Sequence, residues 1–117
     1  MGWVEARLVI PTHPDQYSPF KGKGQLQYIT EKEYQAQLRA LEVNLVKAFG
    51  GFTVTEGRGA WDSGTHVEFE SVRVYTIAID STKADFHPYL LRQEVARRLG
   101  QRAVYLSVTK LEGQPIQ

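Results

Sequence analysis

The sequence predicts an α+β fold: a ferredoxin-like βαββαβ sandwich, in which a four-stranded antiparallel sheet carries two helices on one face. Four segments have the alternation or the β-branched composition of strands, and two have apolar residues at helical spacing. These segments follow one another in the order βαββαβ, and right-handed crossovers then bring both helices to the same face. The opposite face of the sheet is therefore expected to be uncovered.

Length, charge and composition indicate one domain, residues 1–117, with a long loop at 11–29 and a short flexible tail at 111–117. A chain of 117 residues buries about 65% of the surface that its unfolded form exposes, so folding needs no disulfide or metal ion. Fourteen lysines and arginines against thirteen aspartates and glutamates produce no strong field, and nucleic acid is not an expected partner. No apolar run has the length of a leader or a membrane span, which predicts a cytoplasmic protein without membrane contact.

The first strand is predicted from strict alternation. Every second residue from 4 to 10 is apolar, namely Val4, Ala6, Leu8 and Ile10, and Pro11 ends the pattern. Residues 11–29 contain three prolines and two glycines, and they form a segment too long for a simple connector. A lid over a site and a disordered loop are the two interpretations of this segment.

Both helices are predicted from end signals and apolar stripes. Thr30 and Glu33 form a capping box, and Gly50 supplies a left-handed end for the first helix. Its stripe consists of Tyr34, Leu38, Leu41, Leu45 and Phe49. The second helix begins at Pro88, ends at Gly100 and has its stripe at Leu91, Val95 and Leu99.

The remaining strands surround a glycine-rich stretch. The second strand is predicted to be short, residues 52–56, because Gly57, Gly59 and Gly64 indicate a hairpin-like connection. The third strand is expected over 66–80 and the fourth over 103–109. Odd-numbered apolar residues of the third strand are expected to face the helices: Val67, Phe69, Tyr75, Ile77 and Ile79. Ser71 and Arg73 interrupt this row and predict a bulge that changes its phase.

The uncovered sheet face is expected to join copies of the chain. Val72, Val74 and Ala78 occupy even positions of the third strand and would be exposed on that face. Contiguous apolar surface usually marks an interface. The sequence therefore predicts a homo-oligomer through the sheet face, most simply a dimer.

Three short motifs resemble a known family. They are F-G-G-F-T at 49–53, G-x-G-x-W at 57–61 and E-S at 70–71. Together they resemble an uncharacterised family of small bacterial ferredoxin-like proteins with a Gly-x-Trp turn motif. The resemblance implies the same fold for the central part of the chain, and it implies no activity.

The order of strands and helices is also similar to that of the PII-like signalling proteins, which place a regulatory loop between their second and third strands. Here FTVTEGRG at 52–59 occupies the corresponding strand, and DSGTH at 62–66 occupies the loop. This resemblance implies a regulatory role. The shorter loop and the long segment after the first strand are differences from that family.

Residues 57–70 contain the candidate ligand site. Arg58 lies between two glycines, so backbone amides and a guanidinium can meet one anion. Trp61 offers a flat surface for stacking a base or ring. His66 and Glu68 would lie about 7 Å apart on one face of a strand and could share a ligand or a proton. The hairpin is expected to bring these four side chains to one site for a small anionic or nucleotide-like ligand.

Each candidate residue also has a structural interpretation. The glycines beside Arg58 can simply make a turn, Trp61 can pack on the sheet edge, and exposed strand positions are commonly polar like His66 and Glu68. His13, Asp15 and His87 match no recognised metal-ligand spacing, and no phosphate-binding loop motif is present. We therefore expect neither a metal ion nor a cofactor.

Three functions remain open from the sequence. The lack of a nucleophile with a neighbouring base favours a non-enzymatic, oligomeric regulatory or ligand-binding protein that holds an anionic or aromatic molecule near the turn between strands two and three. The first alternative is a structural or partner-binding protein that uses the exposed sheet face. The second is a small acid–base enzyme that uses His66 and Glu68.

Overall fold

The computed structural model describes residues 2–14, 29–62, 64–82, 87–101 and 104–112. Its elements are β1 (Trp3–Pro11), α1 (Glu31–Phe49), β2 (Thr53–Asp62), β3 (Val67–Asp80), α2 (Pro88–Leu99) and β4 (Tyr105–Lys110). The predicted element order and the α+β class are confirmed. Most of the predicted loop at 11–29 and most of the predicted tail lie outside the described residues.

The four strands form one antiparallel sheet in the order β2-β3-β1-β4. The pairing of β1 with β3 runs without interruption from Trp3 opposite Asp80 to Pro11 opposite Val72. The pairing of β2 with β3 is equally continuous. The predicted bulge is therefore wrong, because side chains alternate between the two faces in one phase along the whole of β3.

Local signals end the helices as the sequence predicts. The Thr30 hydroxyl accepts a hydrogen bond from the backbone N–H of Glu33 at 3.1 Å, which satisfies one of the unpaired donors of the first turn. Gly50 and Gly100 both have left-handed backbone, with φ of 92° and 62°. Neither helix in the described part of the chain is long and apolar enough to cross a membrane.

One core joins both helices to a single face of the sheet, which we call the helix face. Its strand residues are Ala6, Leu8, Ile10, Tyr75, Ile77 and Ile79, and its helix residues are Tyr34, Leu38, Leu41, Leu45, Val95 and Leu99. The prediction that odd positions of β3 face the helices is confirmed for its second half. The opposite side of the sheet, which we call the open face, carries no helix in the described part of the chain.

The prediction is wrong for the first half of β3. Val67 and Phe69 are 56% and 64% exposed, although they lie on the same face as Tyr75. The reason is a difference in strand length: β1 ends opposite Val72, so earlier residues of β3 pair with β2 only. Residues 58–62 and 67–71 therefore extend past the end of β1 as a two-stranded ribbon, which, together with the pair of Gly57 and Val72 at its base, we call the arm.

The glycines expected in the hairpin turn lie inside a strand instead. Gly57 and Gly59 belong to β2, opposite Val72 and Glu70. The chain reverses further on, where Gly64 has φ of 97° and its N–H donates to the Asp62 carboxylate at 2.8 Å. This aspartate–glycine arrangement is a typical turn, so the second strand is longer than the sequence predicts.

The stripe of α1 provides a test of the fold. Leu41 is buried in the core, so we expect Leu41→Ala to lower the free energy of unfolding by about 2 to 5 kcal/mol. Thr30→Ala removes a single cap and should lower it by about 1 kcal/mol. Urea denaturation of both variants gives the comparison, and equal losses or a larger loss for Thr30→Ala would contradict the assigned core.

Candidate functional site

The two faces of the arm carry different chemistry. On the open face, Gly57, Gly59 and Trp61 of β2 lie opposite Val72, Glu70 and Glu68 of β3. On the helix face, Arg58 and Ala60 lie opposite Ser71 and Phe69. Neither helix covers these residues, because α1 and α2 pack on the four-stranded region. Within the described part of the chain both faces of the arm are accessible, as the exposed side chains of Trp61 and Phe69 show.

The open face brings three of the four predicted site residues together. The indole N–H of Trp61 donates to Glu68 Oε2 at 3.3 Å. Glu68 Oε1 lies 3.3 Å from Nε2 of His66, and Nδ1 of His66 lies 2.9 Å from the Thr65 hydroxyl. One carboxylate thus fixes the orientation of both an aromatic ring and an imidazole.

Trp61 lies over Gly59 of its own strand. A Cβ at Gly59 would stand 3.4 Å from the six-membered ring of the indole and 3.5 Å from a Val72 methyl group. These are ordinary van der Waals distances, so the ring lies against the sheet at Gly59. Trp61 nevertheless remains 41% exposed, so one surface of the indole is available for stacking.

Arg58 does not join this group. Strand alternation puts its side chain on the helix face, where the guanidinium lies 5.4 Å from the centre of the Phe69 ring in a cation–π contact. A small molecule lying on one face of the arm can contact either Arg58 or the group of Trp61, His66 and Glu68. Because side chains alternate along β2, the hairpin does not bring all four predicted side chains to one face.

The charge of the open face defines which groups it can accept. Glu68 and the half-buried Glu70 lie on the same face as the indole, and a ring of this kind attracts cations. With Arg58 on the other side, the surface suits an aromatic or cationic group better than an anion. His66 and Glu68 are 62% and 36% exposed, which leaves them in contact with water.

The valines and the alanine that the sequence predicts on the open face are less exposed than expected. Val72 is only 6% exposed, because it lies against Gly57 and Gly59 beside the Trp61 ring. Val74 and Ala78 are half-buried. Tyr105 of β4, which shares this face through its pairing with Val9, is 63% exposed. The prediction that Val72 is exposed is therefore wrong.

A partly buried polar cluster escaped the sequence analysis. The Tyr75 hydroxyl donates to Glu42 Oε2 at 2.7 Å, and Arg73 Nη1 lies 3.4 Å from the same oxygen. These contacts attach α1 to β3 at the start of the arm. The available signals were Arg73, a charge on the core side of a strand, and Glu42, a charge beside the stripe residue Leu41.

Among the described residues, no group of three or more histidines, aspartates or glutamates could hold a metal ion. His13 instead forms a 2.7 Å contact with Glu31. The backbone next to it is held by Gln35, whose amide donates to the Thr12 carbonyl at 2.9 Å. Asp15, which the sequence analysis considered beside His13, lies outside the described residues.

The Tyr75 hydroxyl leads us to predict alkaline destabilisation. Burial, with a smaller contribution from the Glu42 carboxylate, raises the pKa of Tyr75 to about 12. Above its ordinary pKa of about 10, Tyr75 loses its proton in the unfolded chain but keeps it in the folded one. Stability should therefore fall between about pH 10 and 12. In Tyr75→Phe we expect a shallower fall in the urea midpoint across this range, and an unchanged slope would contradict the assignment.

Two glycine substitutions test where the hairpin turns. Gly57 does not have positive φ, and a Cβ there would meet Val72 at an ordinary 3.5 Å. We expect Gly57→Ala to stabilise the protein by about 0.4 to 1 kcal/mol. Gly64→Ala should lower the free energy of unfolding by about 1 kcal/mol or more, because Gly64 has φ of 97°. Urea denaturation of both variants measures these changes. If Gly57→Ala lowered the stability and Gly64→Ala did not, the turn would lie at the earlier glycines.

The sequence was also compared with known proteins. Neither a scan against protein-family models nor a search of curated proteins found a match.

Proposed function

We propose that this protein is a non-enzymatic, oligomeric binding module of the regulatory or ligand-binding kind, which holds an aromatic group on the open face of its arm. The observation that carries the proposal is the exposed indole of Trp61, held against the sheet at Gly59 and hydrogen-bonded to Glu68. Fixing an aromatic ring before binding lowers the entropy lost when a ligand stacks on it. We expect the protein to act in the cytoplasm.

We also propose that the domain is a ferredoxin-like sandwich. Its support is the strand order β2-β3-β1-β4 together with a helix after β1 and another after β3. The similarities to the uncharacterised bacterial family and to the PII-like proteins remain predictions. A fold of this kind hosts many functions, so the site and not the fold carries the argument.

The chemistry of the site narrows the ligand from the anionic or aromatic molecule that the sequence predicts. Glu68 and Glu70 repel an anion on the open face, and Arg58 is on the other side. A neutral or cationic aromatic group can stack on Trp61 without that repulsion. A positive charge on such a group is also attracted by the indole ring and by the carboxylates.

The same geometry disfavours the acid–base enzyme. General acid–base catalysis is most effective where a site excludes water and holds the reacting groups in a shifted protonation state. His66 is mostly exposed on a ribbon that no helix covers. Both oxygens of Glu68 are already engaged by Trp61 and His66.

A structural or partner-binding role through the open face is the second candidate. The exposed ring of Tyr105 beside half-buried Val9 and Val74 supports it, because Tyr is one of the residues enriched at protein interfaces. This role and the ligand site use different parts of the same face. They therefore predict different sensitive residues.

The ligand proposal is tested with Trp61 as its own reporter. In a Trp3→Phe background, Trp61 is the only tryptophan. We would titrate adenosine, benzamidinium and inorganic phosphate while following tryptophan emission and melting temperature. Adenosine and benzamidinium should change the emission and raise the melting temperature, whereas phosphate should do neither.

Three variants separate the faces of the arm, with ligand binding read from the melting temperature because Trp61→Phe removes the only tryptophan of this background. Trp61→Phe should weaken the binding of both aromatic probes. Glu68→Gln should weaken the binding of benzamidinium more than that of adenosine. Arg58→Ala is the matched control, because its side chain lies on the other face. Phosphate binding that depends on Arg58, with no response to either aromatic probe, would refute the proposed ligand class.

A further inference from the structure

The outer edge of β2 has no neighbouring strand in the described part of the chain. There β2 pairs only with β3, on one of its two sides. The backbone N–H of Thr12 donates to the Ser71 carbonyl and that of Ser81 donates to the Gly2 carbonyl, both at 2.9 Å. Odd residues of β3 therefore point their backbone groups at β1, and even residues point theirs at β2, because these directions alternate along an antiparallel strand.

This alternation identifies the groups at the free edge. Even residues of β3 lie opposite odd residues of β2, as Val72 lies opposite Gly57. The backbone N–H and C=O groups of the even residues of β2 must then point away from the sheet. Within β2 these residues are Val54, Glu56, Arg58, Ala60 and Asp62.

The described part of the edge lacks several of the features that usually prevent strand pairing. Proteins protect edges with prolines, charged side chains (lysine above all), bulges, very short strands or a covering helix or loop. β2 has ten residues and contains neither proline nor lysine, and its pairing with β3 has no bulge. Its interior charges are Glu56 and Arg58, two positions apart and therefore on the same face.

These two charges make the strand complementary to itself. When two copies of β2 pair antiparallel about Gly57, Glu56 of each copy lies directly opposite Arg58 of the other. The backbone groups that meet in these pairs are the outward-pointing ones, so the register satisfies the hydrogen-bond pattern as well as the charges. Directly opposed charges of opposite sign stabilise strand pairing, and like charges weaken it.

The neighbouring registers that also match the outward groups lack this complementarity. A two-residue shift in one direction puts Glu56 opposite Glu56, and a shift in the other direction puts Arg58 opposite Arg58. Only the register about Gly57 forms both opposite-charge pairs. At its centre, two glycines face each other on the open face, where unbonded pairs approach most closely.

We propose that two copies of this chain associate through antiparallel pairing of β2 with β2, centred on Gly57, to form a continuous eight-stranded sheet. The occupant of the edge is a second copy, and the argument is the charge complementarity of Glu56 with Arg58. Val54, which is 40% exposed beside the edge, meets Ala60 of the second copy in this register. The inference rests on the oligomeric part of the proposed function and specifies its interface.

Charge reversal tests the pairing. Wild-type protein should sediment at twice the 13.3 kDa of one chain. Glu56→Arg and Arg58→Glu each replace two attractive pairs by two repulsive ones, so each should weaken dimerisation by about tenfold or more. Arg97→Glu, on the exposed surface of α2, is the matched control and should remain dimeric.

Rescue distinguishes a lost interface from a damaged fold. An equimolar mixture of the two single variants should form heterodimers, because every opposed pair is again of opposite charge. The double variant Glu56→Arg/Arg58→Glu should form homodimers for the same reason. Glu56 also lies opposite Arg73 within the chain, so melting temperatures are compared to confirm that each variant folds. Folded variants that show no rescue would overturn the proposed register.

Hydrogen exchange locates the interface independently. The backbone amides of Val54, Glu56, Arg58 and Ala60 should become protected as protein concentration rises. A dimer in which these amides exchange at the rate of the monomer would overturn the edge inference. The dimer would then form through another surface. A wild-type monomer at high micromolar concentration would overturn both the inference and the oligomeric part of the proposed function, whereas the response of Trp61 to ligand is measured separately.

Discussion

The central constraint in this structure is the pairing of β3 with two partners of different length. β3 has 14 residues, and β1, with nine, covers only its second half. Where β1 is present, odd residues of β3 enter a core with α1 and α2. Where β1 has ended, the same alternation continues with no core behind it, and Phe69 is left exposed. One register therefore produces both the stable domain and the accessible arm.

The arm is a thin ribbon whose faces carry separate chemistry. Alternation puts a carboxylate, an imidazole and an indole on one side and a guanidinium over a phenyl ring on the other. The Trp61 ring lies against the sheet at Gly59. The polar contacts of Glu42 with Tyr75 and Arg73 hold α1 against β3 where the arm begins. The binding that we propose for the arm can thus change without repacking the core.

The same register decides what a partner strand would meet at the β2 edge. Since odd residues of β2 bond to β3, the even residues offer their backbone outwards and their side chains to the helix face. Glu56 and Arg58 are therefore adjacent members of one row, with opposite charge. In the proposed dimer, the open faces of two arms would form a single surface that carries two copies of Trp61.

Sequence by itself determined the features that depend on neighbouring residues: the order of the elements, the Thr30 cap, the glycine ends of both helices and the buried rows of β1, α1 and α2. Tertiary structure decided three things that local patterns do not contain. The end of β1 determined how far the core extends along β3, which left Val67 and Phe69 outside it. Pairing with β3 extended β2 through its glycines and separated Arg58 from Trp61. Glu42 met Tyr75 because two elements more than 30 residues apart pack together, and such long-range contacts follow from the packing of the whole chain.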